Sequence, residues 1–102
     1  MKDLVQIAKI FSDSNRIRII TLIVREKEVC VCEICDTLEL SQPLVSRHLK
    51  HMKEAGLLKV RQEGKWMIYT LTSKPTRFAQ LWLDEIQKQN FALRALVRCT
   101  IK

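Results

Sequence analysis

The sequence predicts a mainly α-helical fold with a small β-hairpin, a winged helix-turn-helix, and three features of one segment carry that prediction. Ser41 and Gly56 bracket a run with helical apolar spacing, an N-cap residue type at one end and a glycine stop at the other. Two β-prone runs follow at once, LLKVRQ from Leu57 and WMIYTL from Trp66, with Glu63, Gly64 and Lys65 as the turn between them. The same stretch is basic. Residues 41–77 hold eight Lys and Arg against two Glu, nearly all of the net charge of +7. A positive segment of that density is the footprint expected for a polyanion partner.

The remaining elements can be read in chain order. Leu4, Ile7, Ala8 and Phe11 have helical spacing and predict a first helix over about residues 2–11. Ser12, Asp13 and Ser14 offer cap chemistry for a second helix, with Ile17, Ile20 and Ile23 or Val24 turned inward. Residues 28–31 are β-prone and predict a brief extended segment, followed by a short third helix from about Cys32 to Leu38. In the fourth helix Ser41 is the N-cap, and Pro43 lies in the first turn, where its missing N–H costs nothing. Val45, Leu49 and Met52 form that helix's apolar stripe. After the hairpin, Ser73 and Pro75 open a long helix whose stripe includes Phe78, Leu81, Trp82, Ile86, Leu93 and Leu96 or Val97.

At 102 residues the chain reads as one domain, 1–102, small enough to gain from dimerisation. No run is long and apolar enough to cross a bilayer, and Lys2, Asp3 and Lys9 are unlike an export signal. The expected location is the cytoplasm, with no membrane partner. In a reducing compartment, clustered cysteines point to metal or redox chemistry rather than to a structural disulfide. No acid, base and nucleophile constellation supports an enzyme.

With Val45, Leu49 and Met52 inward, Gln42, Ser46, Arg47 and Lys50 face outward on the fourth helix. Gln suits a bidentate contact to adenine, Arg one to guanine, and Ser several base edges or phosphate. Ser41, at the helix entrance, joins this DNA-binding set, and base contacts come mainly from the N-terminal part of a recognition helix. Lys50 and the wing residues Arg61 and Lys65 are placed to meet phosphates, which position without reading sequence. The segment LSQPLVSRHLKHMKEAGLLKVRQEGKWMIYTL, Leu40 to Leu71, resembles the helix-turn-helix and wing of the ArsR/SmtB family of metal-responsive repressors. FSDSNRIRIITLI is similar to that family's second helix. The resemblance implies a homodimer that binds palindromic double-stranded operator DNA and leaves it when an inducer binds. It also implies dimerisation through the first and last helices, which suits Leu4, Ile7, Phe78 and Trp82, although those residues equally suit an intramolecular core. Pro43 stands where many relatives carry a small hydroxyl residue, which leaves Gln42 and Ser46 as the better base contacts.

The motif VCVCEIC, Val29 to Cys35, concentrates three of the chain's four cysteines just before this element. Three thiolates select soft, thiophilic ions over calcium or magnesium. Cys32 and Cys35 share a face on a helix, whereas Cys30 falls roughly 200° from Cys32 at helical twist. All three sulfurs converge only if the backbone near Cys30 is extended or the first turn deforms, and Cys30 must otherwise be pulled over. Structural zinc normally takes four protein ligands, so a trigonal acceptor such as trivalent arsenic or antimony fits the count better. VCVCEIC is also similar to the inducer site of the arsenite-responsive members of the family. That likeness implies Cys30, Cys32 and Cys35 as ligands to As(III) or Sb(III), with no organic cofactor. Cadmium and lead sensors of the family share the C-x-C pair but add a cysteine near the N terminus, and none precedes Cys30 here. The family's zinc sensors use the last helix, whereas His48 and His51 lie on the fourth and read as packing or phosphate-contacting residues. Cys99 has no partner in sequence. A thiol-redox or Cd/Pb sensor on the same scaffold is the alternative, and a thiol-based metal carrier without DNA binding is a more distant one.

Overall fold

A computed structural model describes residues 2–89. Five helices and three strands follow in the order α1 (Lys2–Ile10), α2 (Ser14–Glu26), β1 (Val29–Cys30), α3 (Val31–Leu38), α4 (Gln42–Glu54), β2 (Leu58–Glu63), β3 (Trp66–Leu71) and α5 (Arg77–Gln89). This is a winged helix-turn-helix, with α3 and α4 as the paired helices and β2–β3 as the wing.

The helix boundaries are set by specific hydrogen bonds. The Asp13 carboxylate accepts from the N–H groups of Asn15 (2.8 Å) and Arg16 (3.2 Å), satisfying donors that the first turn of α2 leaves open. Asp13→Ala should therefore cost about 1–2 kcal/mol of stability, read from the urea midpoint; an unchanged midpoint would show that the cap contributes nothing. Ser41 caps α4, its hydroxyl accepting from Leu44 N–H at 3.4 Å. At the far end Gly56 takes φ +79°. Its N–H donates to Lys53 O and that of Leu57 to Met52 O, both at 3.0 Å. This paired closure needs a left-handed residue, and glycine adopts it without a Cβ clash.

The sheet order is β1-β3-β2, all antiparallel. The hairpin expected from sequence is therefore the larger part of a three-stranded sheet. Val29 and Cys30 pair with Tyr69 and Ile68 on the outer side of β3. Gly64, at φ +60°, occupies the first of two loop positions between Glu63 and Trp66, where a type II′ turn requires glycine.

The core surrounds α2, where five successive residues, Ile19 to Ile23, are buried. Ile20 and Ile23 face inward as expected, but Ile19 and Leu22 are also fully buried, because α3, α5 and β3 all pack on this helix. The hydroxyl of the buried Thr21 donates back to Ile17 O at 2.7 Å. Arg18 extends from α2 to donate to Leu38 O (3.1 Å), one of the open carbonyls at the end of α3. Val45, Leu49 and Met52 are fully buried, the stripe read from sequence. On α5 the inward residues are Ala79, Leu83 and Ile86, while Leu81 points outward at 61 % exposure. Thr76, rather than Ser73 or Pro75, opens that helix by accepting from Ala79 N–H at 3.3 Å. Leu93, Leu96 and Val97 lie outside the described residues.

Candidate functional site

The outer face of α4 presents Gln42, Ser46, Arg47 and Lys50, all exposed, with Ser41 at its entrance. Its inner face contributes Val45, Leu49 and Met52 to the core, so the helix is anchored on one side and open on the other. Lys65 stands at the wing tip with its ammonium 5.6 Å from the centre of the Trp66 ring. Arg61 is also exposed on the wing, but its guanidinium is engaged by Glu28 and Glu63.

His48 belongs to the buried side of α4. It is 5 % exposed, and its Nδ1 accepts from Arg16 Nε at 2.9 Å, tying α4 to α2. Its Nε2 is buried with no hydrogen-bond partner among the described residues. Burial holds its pKa below 6.5, opposed by Asp13 and reinforced by the charges of Arg16, Arg47 and His51. The unfolded chain therefore takes up the proton first as pH falls. Stability present above about pH 6.5 should be lost as pH drops through that value towards the folded-state pKa. Urea midpoints should fall over this range in the native sequence and more gently in His48→Gln; equal slopes would exclude His48 as the source.

The cysteines sit at the junction of β1 and α3. Cys30 is the residue before α3 and has an extended backbone, φ −94° and ψ 164°. Of the two routes to convergence, the extended one is therefore realised, and it corrects the expectation that Cys30 must be pulled over. Cys30 Sγ lies 3.3 Å from Cys32 Sγ. Two sulfurs bound to one ion at about 2.3 Å each can stand up to ~4.6 Å apart, so this pair is within reach of a shared soft ion. Cys30 and Cys35 are free thiols, while Cys32 is disulfide-bonded and could act as a ligand only once reduced. Among the described residues no three His, Cys, Asp or Glu side chains are already gathered as an ion site. Burial raises the pKa of Cys30 and of Cys35, and Asp36 adds to the effect on Cys35. Both are protonated thiols at neutral pH, and ligating an ion would release their protons. Cys99 lies outside the described residues.

Cys32 and Cys35 open into a cleft of about 420 Å³ that is also lined by Val31, Asp36, Gln42, Lys65, Trp66 and Met67. The structure thus brings two of the candidate thiols beside one recognition-helix residue and one wing residue. The backbone adds a second connection. Cys35 O accepts the N–H groups of both Glu39 and Leu40, the latter at 3.1 Å, and Glu39 takes the left-handed conformation (φ 57°) that turns the chain towards α4.

Three residues near the cluster were not singled out from sequence. Glu33 is 2 % exposed, and its Oε1 accepts from Cys30 N–H at 3.0 Å, fixing the start of α3. Its signal was available: an acid three residues after a cap is the capping-box spacing, here with cysteine where serine or threonine is usual. Trp66 and Met67 line the cleft from β3, a placement that follows from the sheet and not from any local motif.

Of the four candidate interface residues, Leu4 is 48 % exposed and Ile7 is buried in the chain's own core at 3 %. Phe78 and Trp82 are partly buried, and Trp82 stacks on Phe11 with centroids 4.8 Å apart. No helix among the described residues is long and apolar enough to cross a membrane.

An anchored helix with an open polar face, followed by a basic wing, defines a DNA-binding transcriptional regulator of the winged-helix class. Residues 13–60 match the family described as bacterial regulatory protein, arsR family. The chain is 44 % identical over 80 residues to the arsenic resistance transcriptional regulator ArsR1 of Pseudomonas putida, covering 78 % of this chain and 59 % of that protein. Over 95 residues it is 38 % identical to the arsenical resistance operon repressor of Escherichia coli, covering 92 % and 81 % of the two chains. Among solved structures, HlyU from Vibrio cholerae superposes with a TM-score of 0.74 at 26 % identity, covering 86 % of this chain and 91 % of that one. This chain belongs to the ArsR family. Its relatives are transcriptional regulators, not enzymes.

Proposed function

We propose that the chain is a cytoplasmic, homodimeric repressor that holds a palindromic operator when empty and releases it when As(III) or Sb(III) is bound by Cys30, Cys32 and Cys35. The observation that carries this reading is the position of the thiols. Two of them line one cleft with Gln42 and Lys65, and the third lies 3.3 Å from Cys32. The arsenic-resistance relatives support the choice of inducer. Gln42, Ser46 and Arg47 read bases, with Ser41 at the helix entrance, while Lys50, Arg61 and Lys65 meet phosphates. A second copy packs on Leu4, Phe78 and Trp82, with Ile7 supporting that face from beneath.

Inducer and DNA must then oppose one another by the same factor, because coupling between two binding equilibria is reciprocal. The test is fluorescence anisotropy on a duplex selected from a randomised pool by this protein, in reducing buffer. Arsenite or antimonite should weaken binding by roughly 5- to 150-fold, the usual span of such coupling. Unchanged affinity with both would exclude the reading. The disulfide at Cys32 favours a second possibility, a thiol-redox regulator. It would instead respond to peroxide in metalloid-free buffer.

A further inference from the structure

Arg61 is held by two carboxylates at once. Its Nε donates to Glu63 Oε2 at 2.7 Å, and its two terminal nitrogens donate to the two oxygens of Glu28 at 2.7 and 3.1 Å. Glu63 is on the same strand, β2, whereas Glu28 lies 33 residues away, just before β1. Because β3 runs between β1 and β2, the Glu28 contact spans the width of the sheet. The guanidinium fork fits a carboxylate and a phosphate with the same two-pronged geometry. All three side chains are about half exposed, at 46 %, 55 % and 54 % for Arg61, Glu28 and Glu63, so partners can exchange without uncovering a buried charge. Lys65, the basic residue at the wing tip, rests on Trp66 and makes no ion pair in the described structure.

We propose that Glu28 and Glu63 act as an intramolecular substitute for DNA phosphate, holding Arg61 in reserve until a duplex displaces them. The wing then has two basic residues free of carboxylates in the described structure, Lys59 and Lys65, and one that must first be released, Arg61. The acidic pair sets how tightly the unliganded wing grips DNA, and it is a restraint built into the chain itself. This rests on the reading of the wing as a phosphate-contacting element.

The competing idea is that the three residues are only a staple holding the sheet together, and the two make opposite predictions. Phosphate contacts do not depend on sequence, so a mixed-sequence duplex followed by anisotropy at several salt concentrations is a sufficient probe. Glu28→Gln should tighten binding by roughly two- to fivefold, the range an exposed ion pair commands. Arg61→Ala should weaken binding and shrink the salt slope by about one. In the Arg61→Ala background, Glu28→Gln should have almost no effect, which separates competition for Arg61 from a general gain of positive charge. The proposal is overturned if Glu28→Gln weakens binding, leaves it unchanged, or tightens it equally with Arg61 absent. Lys65→Ala is the control on the underlying reading. If it too leaves affinity and salt slope untouched, the wing does not meet DNA at all.

Discussion

Cys32→Ser should abolish the arsenite response while leaving DNA binding in the absence of arsenite within about twofold of the native protein. Cys32 is the member common to the two pairings the structure shows. It lies 3.3 Å from Cys30 and shares its cleft with Cys35, so removing it breaks both pairs. Cys30→Ser is the informative companion, because residue 30 immediately precedes α3 and serine is a favoured N-cap. That variant keeps the start of the helix, so a lost response reports a lost ligand rather than a lost fold. Operator anisotropy with and without arsenite, in reducing buffer, makes both measurements. A Cys32→Ser protein that still releases DNA would remove Cys32 from the mechanism, and a Cys30→Ser protein that does so would remove Cys30.

Leu49→Ala should destabilise the fold by about 2–5 kcal/mol. Leu49 is fully buried on α4, and α4 packs against α3 and β2. A domain of this size has only about 5–15 kcal/mol in total, so the loss is a large fraction of the whole. Lys50→Ala, one residue further on the exposed face, should change stability by less than about 0.5 kcal/mol and act on DNA affinity instead. Urea denaturation of the two variants separates anchoring from contacting roles. A cost below about 1 kcal/mol for Leu49→Ala would mean that the inner face of α4 tolerates a cavity despite the complete burial of Leu49.

What could be read from the sequence follows from how local each determinant is. The fourth helix was legible at both ends because Ser41, Pro43 and Gly56 each have a conformational role that no neighbour has to supply. The pairing of Val29 and Cys30 with β3 was not, because two residues carry no periodicity and their partners lie about forty positions away. Periodicity also misplaced the inner face of α5, since Leu81 fits the same stripe as Trp82 and Ile86 yet points outward. On α2 it found one buried face where three neighbours bury five successive residues. For the candidate site, the thiol spacing identified the cluster, but whether Cys30 joins it depended on the backbone angle at one residue. The pairing of Arg61 with Glu28 joins residues 33 apart through the sheet, so charge counting saw only a basic wing.

The carbonyl of Cys35 separates detection from transmission. The turn into α4 hangs on a main-chain oxygen, accepting from Glu39 and Leu40, whereas any inducer would be held by the side chains. Chemistry that grips residue 35 can therefore be exchanged without redesigning the connection to DNA. Other donor sets placed at residues 30, 32 and 35, tuned to other ions or small molecules, would act on the same hinge. The segment is in that sense a replaceable input on a fixed output, and a starting point for building sensors with new specificities.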